Sequence, residues 1–99
     1  MTVTLLFFAD CPNWRLTDER LQEALVLAGR DDVIVEHRLV TTAEQVEGSG
    51  FRGSPTVLVN GCDPFADPAA PAGLSCRVFR TEAGPAGAPT VEQLLAVLQ

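Results

Sequence analysis

Val3-Thr4-Leu5-Leu6-Phe7-Phe8-Ala9-Asp10-Cys11-Pro12-Asn13-Trp14 begins with a continuous apolar run that ends at Asp10 and is followed by Cys11 and Pro12. A continuous run of β-formers without polar alternation is the pattern of a central strand covered on both faces, which predicts strand over residues 2–9. Pro12 stands where the first position of a helix tolerates a missing N–H, so Cys11 is the expected N-cap and lies on the first turn of the first helix. Trp14, Leu21, Leu25 and Ala28 then form one apolar stripe, and Gly29 is the expected stop.

Outward from this junction, residues 33–40 read as a second strand. Val33, Val35 and Leu39 fall on one face and Ile34 and Val40 on the other, which predicts burial on both sides. A strand, a helix and a strand in that order form a βαβ unit with parallel strands and a right-handed crossover. Thr42 with Gln45 is a capping box that opens a short helix over 43–47. Residues 56–59 form a short strand closed by Asn60-Gly61, a strong reversal signal. An irregular insertion at 61–75 follows, carrying Pro64, Pro68, Pro71 and Gly73. The expected returning strand is 76–80. A breaker-rich stretch at 84–89 leads to Thr90 and Gln93, a second capping box, and a terminal helix through Leu94, Leu95, Val97 and Leu98. The order β-α-β-α-β-β-α predicts an α/β layer fold in a single domain over 1–99.

Bulk composition excludes several classes of function. A formal net charge of −6, from 13 acidic and 7 basic residues, repels a phosphate backbone, so no nucleic-acid partner is expected. The leading apolar run is far shorter than a bilayer span and has no basic segment before it, so no membrane association is expected. Cys11, Cys62 and Cys76 are an odd number of thiols, unlike a secreted disulfide framework, which points to a cytoplasmic protein. A Cys62–Cys76 disulfide, a Cys11–Cys76 pair and three free thiols all remain open, because sequence gives no distances.

Two segments resemble the thioredoxin and glutaredoxin superfamily: Phe8-Ala9-Asp10-Cys11-Pro12-Asn13-Trp14, where that superfamily places its Cys-x-x-Cys motif, and Phe51-Arg52-Gly53-Ser54-Pro55-Thr56, similar to its cis-proline loop. The likeness is nearest to small bacterial thioredoxin-like proteins, some of which carry selenocysteine in the motif. It implies a four-stranded mixed sheet with helices on both faces and thiol redox work at Cys11. Trp14 stands at the place of the second, resolving cysteine, so the implied mechanism is monothiol.

At a helix N-terminus, unpaired N–H groups favour thiolate over thiol, which makes Cys11 the candidate nucleophile; the adjacent Asp10 works against this. Cys76 is the candidate resolving thiol. Pro12, Trp14, Ser54, Pro55 and Thr56 are the candidate substrate-binding residues, with the Ser54 backbone offered to a substrate strand by β-augmentation. Trp14 fits a packing role as well as a substrate-facing one. Arg52, Arg77 and Arg80 could hold an anion such as a glutathione carboxylate, or could be solvated strand and loop ends. His37, alone on a strand, reads as a surface or satisfied histidine. No metal site is expected from these ligand spacings, and no cofactor motif is present. The expected partner is a protein or small-molecule thiol or disulfide, including a glutathione-like thiol. Two other readings compete with the oxidoreductase: a non-catalytic binding module with a buried, unreactive Cys11, and thiolate capture of mercury or another soft metal.

Overall fold

The computed structural model describes residues 1–46, 51, 53–65 and 77–99. In chain order the elements are β1 (Val3–Phe7), α1 (Trp14–Leu27), β2 (Val35–Leu39), α2 (Ala43–Val46), β3 (Thr56–Val59), β4 (Phe79–Thr81), β5 (Gly84–Ala86) and α3 (Val91–Leu98). All five residues of β1 are buried, as its apolar run requires. It is the middle strand of a sheet ordered β2-β1-β3, parallel to β2 with Val3 opposite Val35 and antiparallel to β3 with Val3 opposite Val59.

Alternation along β1 divides the interior in two. Val3, Leu5 and Phe7 face a larger core with Leu21, Ala24 and Leu25 of α1, Val35, Val57, and Leu94 and Leu98 of α3. Leu6 faces the other way, into a smaller core with Val40, Phe51 and Leu58 and the partly buried Phe8. Both long helices therefore cover one side of the sheet. Arg30 Nε fastens their ends by donating to the Leu98 carbonyl at 2.8 Å, one of the carbonyls a helix terminus leaves unpaired. Among the described residues, no helix is long and apolar enough to cross a membrane.

The expected four-stranded mixed sheet with helices on both faces is not what the chain forms. Among the described residues it has a three-stranded sheet and a separate two-stranded hairpin, β4-β5, with only the single turn of α2 beyond the two long helices. The reversal at Asn60-Gly61 does occur, with both residues at positive φ, and Val59 and Cys62 exchange backbone hydrogen bonds of 2.8 and 3.0 Å. Pairing stops there because Pro64 has no N–H and the Asp63 carboxylate takes the Phe65 N–H at 2.8 Å. When the chain returns, Arg77 N–H reaches the Ser54 carbonyl at 2.9 Å, but from Phe79 onward the backbone pairs with 84–86 instead. Gly84, at φ 104°, makes that local turn possible, and the Thr81 hydroxyl donates to its carbonyl at 2.6 Å. A turn this tight costs far less closure entropy than a distant partner strand. Residues 84–86, expected as irregular, are thus a strand, with Pro85 tolerated at its edge.

β2 also departs from expectation. Among the described residues it is an edge strand with only Val35 buried, and Ile34 is 88% exposed. The capping boxes form as read. At α2, Gln45 N–H donates to Thr42 Oγ1 and Thr42 N–H to Gln45 Oε1, both at 3.2 Å. At α3, Thr90 and Gln93 exchange the same pair of bonds at 2.9 and 3.1 Å. Thr90→Ala removes the acceptor for Gln93 N–H and is expected to cost about 1 kcal/mol in thermal or urea unfolding, with the fold retained.

Candidate functional site

α1 begins later than its sequence suggests. Its N-cap is Asn13, whose carbonyl accepts the Thr17 N–H at 3.0 Å and the Thr17 hydroxyl at 2.9 Å. Cys11 therefore precedes the cap rather than forming it, and lies in a turn where its N–H donates to the Phe8 carbonyl at 3.1 Å. Pro12 thus stands before the cap and not at the first helical position. Cys11 is 4% exposed, yet it belongs to neither apolar core, and Ala9, Asp10 and Pro12 around it are exposed.

The second candidate segment lies against the first. The Ser54–Pro55 peptide is cis, and the Ser54 hydroxyl accepts the Phe8 N–H at 3.3 Å. Phe8 thus bonds to Cys11 through its carbonyl and to Ser54 through its amide, joining the two sequence-predicted loops through one residue. Ser54, Pro55 and Thr56 are all buried, and Thr56 Oγ1 donates to the Gly53 carbonyl at 2.6 Å. The Ser54 carbonyl does not offer a free edge, because it already holds the Arg77 N–H. Of the five candidate substrate-binding residues, only Pro12 and Trp14 reach solvent.

Trp14 is half-buried and stacks on Phe7, with ring centroids 4.2 Å apart. The Arg15 guanidinium lies 5.3 Å from its ring centre, and His37 meets its edge at 5.9 Å. Nε2 of His37 is 2.8 Å from Asp18 Oδ1, so this histidine is partnered at the surface, α1 to β2. The two residues are 19 apart in sequence and meet because β2 returns alongside β1 beneath α1. Beside the Cys11 turn, at the carboxyl ends of the parallel strands, Phe8, Ala9, Asp10, Val40 and Thr41 line an open hollow of about 340 Å³. That is where open α/β sheets commonly receive ligands.

The remaining sequence candidates divide. Cys62 is a free, exposed thiol. Cys76 and Arg52 lie outside the described residues, so neither the proposed resolving thiol nor that anion contact is placed. Arg80 is exposed on β4. Arg77, read as an anion holder or a solvated strand end, is instead buried: its Nη1 donates to Asp63 Oδ2 at 2.6 Å, its Nη2 donates to the Phe65 carbonyl, and its guanidinium lies 4.7 Å from the Phe79 ring centre. Nothing in the local pattern around Asp63 signals that partnership. Among the described residues, no three His, Cys, Asp or Glu side chains come together as a metal site.

No family model, curated protein or solved structure matches the chain.

Proposed function

We propose that the chain is a thiol-dependent oxidoreductase that works with one cysteine, Cys11. The observation that carries this reading is the double engagement of Phe8, which ties the cysteine turn to the Ser54–Pro55 loop. The resemblance of those two segments to the active-site segments of the thioredoxin and glutaredoxin superfamily supports it. In the proposed reaction the Cys11 thiolate attacks one sulfur of a disulfide, forming a mixed disulfide and releasing the other sulfur as a thiolate. A second thiol of the glutathione class then attacks the substrate sulfur of that adduct, and Cys11 leaves as thiolate. Trp14 stands where a resolving cysteine would be, so the second thiol comes from outside the motif. The 4% exposure of Cys11 means that the turn around residues 9–12 must open for the substrate sulfur to enter.

That same burial, with the Ser54 carbonyl already occupied by Arg77, favours a second reading, a non-catalytic binding module. Mass-spectrometric mapping of iodoacetamide and oxidised-glutathione labelling distinguishes the two. The oxidoreductase reading predicts that at neutral pH and without denaturant Cys11 forms a mixed disulfide faster than the exposed Cys62, and that reductant reverses it. Labelling of Cys11 only when the chain is unfolded would leave the binding module as the surviving reading.

A further inference from the structure

The outer edge of β2 carries an arrangement that the thiol site does not use. Among the described residues β2 pairs only with β1, and Glu36, His37, Arg38 and Leu39 are all exposed. Val40 N–H donates to the Phe7 carbonyl at 2.7 Å, which sets the alternation of the strand. Glu36 and Arg38 direct their backbone groups inward to β1, while Val35, His37 and Leu39 direct theirs to the open edge. An open edge of this kind is a template for another strand.

We propose that β2 is the interface of a two-fold dimer, in which a second copy of this chain pairs its own β2 antiparallel in a register centred on His37. The register is selected by charge. Centring the pair on Glu36 sets glutamate against glutamate, and centring it on Arg38 sets arginine against arginine. Only the His37 register places Glu36 opposite Arg38 of the second copy, twice by symmetry. It also sets Val35 opposite Leu39 and Ile34 opposite Val40. The outward-facing residues then become the hydrogen-bonded pairs, and the Glu36–Arg38 pairs fall at the closer, non-hydrogen-bonded positions, with Cα atoms about 4.5 Å apart. Within one chain Arg38 Nη2 and Glu36 Oε1 are 2.7 Å apart, so both side chains already share the face where the cross-strand pairs form. Because a two-fold axis normal to the sheet keeps faces together, the result is a continuous sheet ordered β3-β1-β2-β2-β1-β3 with all long helices on one side.

The test is sedimentation or light scattering of the full chain over a dilution series. The wild-type mass is expected to rise from 10.6 kDa toward twice that value with concentration. Glu36→Arg should weaken dimerisation by about tenfold or more, since like charges directly opposite one another oppose pairing. The double variant E36R/R38E should restore it. Hydrogen exchange gives a readout without substitution: the amides of Val35, His37 and Leu39 should become protected as concentration rises. A chain that stays monomeric at every soluble concentration overturns the proposal. So does a dimer that is indifferent to Glu36→Arg, or one not recovered by the double exchange.

Discussion

Asp63→Ala is expected to destabilise the folded chain by about 3–5 kcal/mol, read as a large fall in the urea midpoint. The Asp63 and Arg77 side chains are only 8% and 5% exposed, and they face each other through two contacts, of 2.6 and 3.3 Å. Taking away the carboxylate leaves a guanidinium buried with a carbonyl and the Phe79 ring for company, and neither neutralises its charge. The cost is that of a stranded charge, not the value of the pair. Asp63→Ala combined with Arg77→Met should therefore recover most of the loss, because an apolar side chain suits the pocket formed with Phe65 and Phe79. If the single substitution costs under about 1 kcal/mol, Arg77 is solvated and the pair does not close the base of the insertion.

That closure bears on the thiol site. Arg77 is held by its side chain at Asp63 while its N–H holds the Ser54 carbonyl, and Ser54 in turn holds Phe8. Freeing Arg77 releases the strand edge that a substrate backbone would need. Asp63→Ala should thus also speed the labelling of Cys11 on which the proposed oxidoreductase reading rests.

What could be read from the residues was local. Thr42 with Gln45 and Thr90 with Gln93 cap helices through atoms three residues apart, and Asn60-Gly61 reverses the chain through its own dihedral angles. The continuous apolar run at β1 identifies the central strand because only two-sided burial accounts for it. Partnership at a distance was not legible. Ile34 and Leu39 look like core residues, but the apolar pattern of a strand does not reveal whether another strand lies beyond it, and here none does among the described residues. Of the strand expected over 76–80, Phe79 and Arg80 are strand and Arg77 and Val78 are not, and the partner of Phe79 and Arg80 is decided by the nearby Gly84 turn and not by β3. The two loops of the candidate site were identified in sequence, whereas the burial of Cys11 and the occupation of Ser54 depend on how residue 77 returns.

Phe51→Ala should be comparably damaging, at about 3–5 kcal/mol. Phe51 is 1% exposed and is the largest member of the smaller core, where its buried neighbours among the described residues are Leu6, Val40 and Leu58. Loss of its ring leaves a cavity that Leu6, fixed in the central strand, and Leu58, fixed in β3, have little freedom to fill. Domains of this size are stable by only about 5–15 kcal/mol, so the substitution should consume much of the margin. Ile34→Ala, at a residue 88% exposed, is the control and should change the monomer's stability by no more than about 0.5 kcal/mol. The substitution also tests how the cores divide the work. Phe8, which joins Cys11 to Ser54, packs partly against this smaller cluster, whereas Trp14 packs against the larger one. Partial loss of the smaller core should therefore loosen the Cys11 turn before α1 detaches. The expected signature is Cys11 labelling at urea concentrations where Trp14 fluorescence is still native. Coincident transitions would mean that the two faces of the sheet unfold as one unit, and that access to the thiol is governed by global unfolding.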